Sequence, residues 1–398
     1  MISRITLFTL LCLMACYGPK KFLNQGAALQ KSYATEIPIE RVKDWVVIPV
    51  QFKGKQYRFL FDTGAPVMLR SSLFRQQKRQ LASIPVSDVN KSVRELAVAM
   101  VDSLQIGEVI FDGVPALELE EDGFFVQCFG FDGIIGSNLV RDAIVEIDVE
   151  QSVLRLTNDP QKLPKPKSDA IPMRTDLDQQ SSPIITIQLG DKVQEMLIFD
   201  SGADVFYDVG IDHFRTFAPH HIFDTLATAQ GFDPSMGLFS AGDSSQTYLL
   251  SPKAFQIGTA TFQDVICKVD FEDDSRLGAA LFDHGLVRLD YQEGAFYFTP
   301  YGKSNSIAYA EREFALAPTF NGQFIVGYLY QDLGPVQAGD RILKVNDFAT
   351  DQVGICDLFQ MPSFSSHETI MVTVEAQDGS IHEVQVPRIQ VTNRQEAP

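Results

Sequence analysis

The sequence predicts a mainly β protein made of two pseudo-symmetric β lobes followed by a smaller separate unit. Short apolar runs between frequent turns dominate residues 39–303, and helix patterns are few. Two hydrophobic ramps end in the same kind of loop, Leu60-Phe61-Asp62-Thr63-Gly64-Ala65 and Ile198-Phe199-Asp200-Ser201-Gly202-Ala203. From about residue 310 the pattern changes to a separate short unit.

The repeat extends beyond the two acids. Trp45–Phe52, a Gly54 turn and the strand into Asp62 match Ile184–Leu189, a Gly190-Asp191 turn and the strand into Asp200. Ser103–Gly107 with Phe111 and Val114 returns as Ala254–Gly258 with Phe262 and Val265, at an offset of 151. Ile144–Asp148 with Val153–Leu156 returns as Leu286–Asp290 with Ala295–Phe298, at an offset of 142. Three blocks in one order are an internal duplication. The apolar runs Phe59–Phe61 and Met196–Phe199 are expected as strands buried on both faces, each delivering its acid where the strand opens into a loop.

Taken in order, the chain starts with Arg4 and the apolar run Ile5–Met14, the shape of a secretory signal. Leu13-Met14-Ala15-Cys16 resembles the bacterial lipobox, with Cys16 as the lipidated mature N-terminus; the alternative is an ordinary cleaved signal with an incidental cysteine. Residues 1–16 are thus a lipoprotein-type signal peptide, 17–38 a small and polar tether, and the expected location is extracytoplasmic, lipid-anchored to a bacterial cell-envelope membrane in the periplasm or at the cell surface. The lobes span 39–158 and 176–303, joined by a Pro-rich, charged linker over 159–175. The clearest helix candidate is Ser137–Ala143. Residues 310–390 form the third unit, closed by a hairpin of Ile370–Ala376 and Ile381–Val386, and the last dozen residues look unstructured.

A net charge of −18 argues against a nucleic-acid partner and against charge-driven binding to anionic lipid. Cys128, Cys267 and Cys356 are odd in number, widely spaced and in apolar settings, which reads as buried free thiols. There is no CxxC and no zinc spacing, and the reading includes no metal and no cofactor. His220-His221 and His284 are candidate ligands or modulators, but turn residues in solvated loops are the plainer reading. No Gly-x-Ser-x-Gly elbow supports a serine hydrolase.

The sequence resembles a two-lobed aspartic peptidase of the retropepsin-like clan followed by a PDZ domain. The residues that carry the likeness are Asp62-Thr63-Gly64-Ala65, Asp200-Ser201-Gly202-Ala203, Asp132-Gly133-Ile134-Ile135-Gly136 and the PDZ-like run Ala338–Asn346. The resemblance implies two aspartic-protease β lobes and a small PDZ-like domain, an aspartic endopeptidase activity, and protein or peptide substrates. It implies Asp62 and Asp200 as the catalytic pair, with Thr63, Gly64, Ser201 and Gly202 supporting the two loops. Two departures stand out. Gly278-Ala279-Ala280-Leu281 falls where the first lobe has Gly133–Gly136, so Leu281 takes the place of the closing glycine. Leu81–Met100, where a flap belongs, contains no glycine, and Gly237–Gly242 is an alternative mobile hairpin.

The chemistry fits the residue types. Two carboxylates a few ångströms apart do not both ionise easily, so they share a proton and provide a base and an acid around one water; aspartic proteases are the standard instance of this effect. Which aspartate does which is open at this level. The competing class is a non-catalytic peptide-binding lipoprotein that keeps the cleft and the PDZ unit. A carbohydrate-active enzyme lacks support, because one tryptophan is available to stack on sugars. In the third unit, Gln323–Tyr330 is the expected edge to which a peptide ligand adds as a strand; the alternative is a cap that stabilises the second lobe.

Overall fold

Apolar side chains set opposite one another draw Trp45–Phe52 and Lys55–Asp62 into an antiparallel hairpin, with Val47 facing Leu60 and Ile48 facing Phe59. This is a computed structural model, and it describes residues 22–87, 91–176, 180–191, 193–232, 244–270, 274–302, 305, 307, 314–350, 354–359, 367–389 and 395–396. The second lobe repeats the hairpin with Ile184–Leu189 and Val193–Asp200. Phe59, Leu60 and Phe61 are all buried, as expected for a strand covered on both faces. In the second lobe Leu197 and Phe199 are buried but Met196 is half exposed and Ile198 part-buried, so that strand is fully covered on one face only. The fold is mainly β, the described residues forming three sheets.

Each acid-bearing strand gains a parallel neighbour from later in its lobe. Gly133–Gly136 runs beside Phe59–Asp62, and Arg276–Gly278 runs beside Ile198–Asp200. Gly136 is opposite Asp62 and Gly278 is opposite Asp200. The closing glycine of the second lobe is therefore Gly278, and the assignment of that place to Leu281 is corrected. The repeat here carries the same offset of 142 that relates Glu146 to Arg288 in the strands that follow. A Cβ on Gly278 would press on the carbonyl oxygens of Val205 and Ala203, as one on Gly136 would on Ala65 and Pro66. Leu281 lies three residues on, fully buried in a short 3-10 turn, as core.

Between the lobes, Ala34–Pro38, Val153–Thr157, Ile144–Asp148, Gly285–Asp290, Ala295–Pro300 and Ile171–Arg174 run side by side in that order. The two halves of the duplication meet where Ile144–Ile147 pairs with Val287–Asp290. Val145, Ile147, Val287, Leu289 and Phe296 enter the core from one face. Glu146, buried on the other, is satisfied by Arg155 at 3.0 Å and by Arg288 Nε at 2.8 Å. Two expectations change here. The segment expected as a tether already contributes buried Leu23 and Ile37 and the strand Ala34–Pro38, while the linker ends in the strand Ile171–Arg174. Local composition did not betray either strand: the partner of Ala34–Pro38 lies more than a hundred residues away, and Ile171–Arg174 bridges distant Ala295-Phe296 and nearby Ile184-Ile185. The signal segment, with Cys16, lies outside the described residues.

Ser137–Val140 is helical as expected, though shorter; Phe124–Phe129 and Ile211–Phe217 are helices that the apolar pattern did not single out. Arg79–Ser87 and Val93–Val101 form a hairpin at the expected flap position without any glycine in either strand. The alternative flap at Gly237–Gly242 lies outside the described residues.

The third unit is a sheet in the order Leu316–Phe320, Phe324–Leu329, Arg341–Val345, Thr369–Glu375, Ile381–Pro387, around Val326, Ile342, Val372, Val374 and Val386. Its closing hairpin is the expected one. Phe324–Leu329 is an inner strand, flanked by Leu316–Phe320 and by Arg341, so it is not the peptide edge expected there. It packs on the second lobe: Tyr328, Tyr330 and Ala317 form one buried cluster with Leu226, Ala229, Leu249 and Ile266. The backbones touch where Gly231 meets Gly327, since a Cβ on either would strike the other strand's carbonyl oxygen. A disulfide joins Cys128 in the Phe124–Phe129 helix to Cys356 in the third unit. The expectation of three free thiols is corrected for these two and holds for buried Cys267. A separation of 228 residues leaves no trace in cysteine spacing; only tertiary approach decides such a pair. Finally, Gln395–Glu396, in the tail expected to be unstructured, pairs with Asp224–Thr225.

Candidate active site

The two ramps deliver their loops to a common point between the lobes. Thr63 and Ser201, both fully buried, interlock with two-fold symmetry. The Thr63 amide donates to Ser201 Oγ at 3.0 Å, and the Ser201 amide donates to Thr63 Oγ1 at 2.9 Å. Each hydroxyl then donates across the interface, Thr63 Oγ1 to the Phe199 carbonyl at 2.6 Å and Ser201 Oγ to the Phe61 carbonyl at 2.8 Å. A small β-hydroxyl that accepts one bond and donates another suits this buried place, because no polar group is left unpartnered.

That interlock brings the carboxylates together. A Cβ on Gly64 would come within 2.5 Å of the Asp200 carboxyl, and a Cβ on Gly202 would overlap the Asp62 carboxyl. The absent side chains are what allow each acid to lie against the opposite loop. Within each loop the glycine amide donates to the acid, Gly64 to Asp62 Oδ1 at 2.8 Å and Gly202 to Asp200 Oδ1 at 2.9 Å. The glycine carbonyls are also held: Trp45 Nε1 donates to Gly202 and Gln180 Nε2 donates to Gly64. Ser137 Oγ donates to the Thr63 carbonyl and bonds the Tyr291 hydroxyl. The six residues singled out in the sequence therefore lie together.

Burial is the main influence on Asp62, and it pushes the carboxyl well above the ordinary carboxylate range. The charge of Asp200 and its hydrogen bond add to the rise, while the Gly64 amide and Arg276 oppose it. Arg276 is the charged neighbour that the sequence reading missed. Its Nε lies 3.4 Å from Asp200 Oδ2 and its Nη1 lies 3.4 Å from Asp270 Oδ2. The signal was available: carrying the offset of 142 back to Gly278 sets Arg276 against Ile134.

A second buried polar group lies on the strand that leads to Asp200. Glu195 accepts from the Tyr207 hydroxyl at 2.5 Å, bonds His213 Nδ1 at 2.8 Å and accepts from Ser275 Oγ. The bond to Glu195 raises the His213 pKa against the opposing effect of burial. Nearby, burial and then the charge of Asp270 push Asp208 up to about 7. His284 packs its ring edge-on against Phe206 and Phe262, and His220 and His221 sit exposed at the end of a short turn, so none joins the acid pair.

No curated protein matches the chain at significant similarity. The stretch from Ile48 through Leu139 holds the first acid loop, the flap hairpin and the Gly133–Gly136 strand. Residues 48–139 match the aspartyl protease family, and this part of the chain is an aspartyl protease-like domain.

Proposed function

We propose that the protein is an aspartic endopeptidase in which Asp62 and Asp200, one from each lobe, activate a water for attack on a peptide carbonyl. The observation that carries this reading is the two-fold hydroxyl interlock of Thr63 and Ser201, which presses each carboxyl onto the opposite loop's glycine. Carboxyls so close favour the state that holds one proton, so one oxygen takes a proton from water while another gives one to the carbonyl oxygen. Preorganised loops place these groups before substrate arrives, which is where most of the rate advantage arises. No cofactor enters the scheme.

The wider setting is an extracytoplasmic lipoprotein anchored through Cys16, with residues 310–390 as a PDZ-like unit docked on the second lobe. Unfolded proteins and peptides are the substrate class.

Asp62→Asn and Asp200→Asn each test the reading. Purified residues 17–398 should cleave a denatured protein, and either variant should lose at least about a thousandfold in kcat/KM, since neither acid replaces the other's half of the proton exchange. Wild-type rates in both variants would sink it. One observation favours a second reading, a peptide-binding protein without catalysis: the Arg276 guanidinium engages one of the two carboxyls. Tight peptide binding by wild type without any hydrolysis, across acid and neutral pH, would establish that alternative.

A further inference from the structure

Arg276 stands where the first lobe has an apolar side chain. Gly278 is opposite Asp200 as Gly136 is opposite Asp62, so Arg276 corresponds to Ile134. Its cross-strand neighbour Asp208 corresponds to Met68 in the same way. Alternate residues of a strand share a face, which sets Arg276 on the face that carries Asp200. In the first lobe the matching positions Leu60, Ile134 and Met68 are buried and apolar. The acid loops are thus symmetric in geometry, while their flanks differ by a cation, Arg276, and by the acid opposite it, Asp208.

That cation is well placed to act on the pair. Its contact with Asp200 Oδ2 is partly shielded from water, the two side chains being 11% and 13% exposed. Asp62 is faced by Asp200 and by Arg276. Arg276 in turn is faced by Asp200 from one strand and by Asp270 from another. Asp208 lies opposite it on the third, with Lys268 beside Asp208.

We propose that Arg276 is a positioning residue that breaks the symmetry of the acid pair: it keeps the negative charge on Asp200 and leaves the shared proton on Asp62. The strong upward push on Asp62 accords with that placement. Roles follow for the reaction, and this part rests on the peptidase reading. Water gives its proton to Asp200 as its oxygen bonds to the carbonyl carbon. Asp62 gives its proton to the carbonyl oxygen, forming a neutral gem-diol. The C–N bond then breaks as the nitrogen takes the proton from Asp200, and a diol hydroxyl returns one to Asp62. The pair ends as it began, ready for a second water.

A nearby cation favours ionised forms, so Arg276 lowers both apparent pKa values of the pair. In the pH profile of kcat/KM, Arg276→Met should move both limbs upward by about 1 unit. Arg276→Lys, which restores the charge, should return them most of the way. Asp270→Asn removes the acid that shares the guanidinium and should move both limbs down. An active Arg276→Met with unmoved limbs, or a Lys variant that behaves like the Met variant, overturns the proposal. A second arm needs no activity: carboxyl carbon-13 NMR of Asp-labelled protein, assigned with the two Asp→Asn variants, at a pH where the pair holds one proton. The acid signal should belong to Asp62 and the carboxylate signal to Asp200, and the two should converge in Arg276→Met. An acid signal on Asp200 in the wild type overturns it. If wild type shows the expected signals and cleaves nothing, the peptidase reading fails while the role of Arg276 stands.

Discussion

Thr63 and Ser201 each use one hydroxyl twice, and that economy makes them sensitive to substitution. Ser201→Ala would leave the Thr63 amide without its partner in a buried place and remove the bond that the Phe61 carbonyl accepts. The expected cost is about 1–3 kcal/mol for the orphaned amide, with a fall in kcat/KM as the carboxyls lose their mutual placement. Thr63→Ser keeps the hydroxyl and should stay close to wild type in both measurements. Asp208 offers a residue-scale pH test. Its carboxyl is pushed up to about 7, so the folded state binds a proton that the unfolded chain has already lost above about 4. Stability from this group is therefore present at acid pH and lost as pH rises towards 7, at up to about 1.4 kcal/mol per unit. Denaturant titrations across that window should show a flatter decline for Asp208→Asn; an unchanged slope would contradict the assignment.

At the scale of elements, the pairing of Arg276–Gly278 with Ile198–Asp200 makes a sharp distinction between two residues three apart. Gly278→Val would drive a side chain into the Val205 and Ala203 carbonyls, backbone that cannot step aside. Loss of soluble folded protein, or of activity in whatever folds, is the expected result. Leu281→Ala should only cost core packing, about 2–5 kcal/mol by chemical denaturation, with the pH profile kept. Were Leu281 at the closing position instead, a smaller residue there would improve activity. The flap hairpin shows how an element can form without the residues that usually announce it. Arg79–Ser87 and Val93–Val101 hold together by antiparallel pairing, and the second of them pairs further with Val114–Leu117.

For the whole molecule, the third unit is built into the rest at two separate places. Its Tyr328 and Tyr330 share a buried cluster with the second lobe, and the Cys128–Cys356 bond fastens it to the first. Removing residues 310–398 would expose Leu226, Leu249 and Ile266, so the truncated chain should melt lower and aggregate, with loss of cleavage for proteins and short peptides alike. Normal cleavage of short peptides by a stable truncation would restore the substrate-presenting role. Cys128→Ser should lower stability by about 2–5 kcal/mol, as the loss of a native crosslink does. Non-reducing gel mobility and thermal melts, with and without reductant, measure it; identical melts would argue against the bond.

Much of this was legible in the chain. Ramps ending in Asp62 and Asp200 betray themselves because local apolarity and a following Asp-[Ser/Thr]-Gly are sequential features, and duplication doubles the signal. The mainly β class, the paired hairpins and the hairpin closing the third unit follow from the same short-range grammar of alternation and turns. What the sequence could not decide is everything set by approach in space. Ala34–Pro38 looks like tether until Val153–Thr157 lies beside it, and Cys128 looks like a lone thiol until Cys356 arrives. Phe324–Leu329 looks like an edge until its neighbours pair with it and the second lobe covers it. Arg276 is the sharpest instance. The offset of 142 sets it against Ile134 in the sequence, but only the register that places it opposite Ile198 brings its charge to Asp200. Electrostatic influence falls with distance and with access of water, and neither quantity is written along the chain.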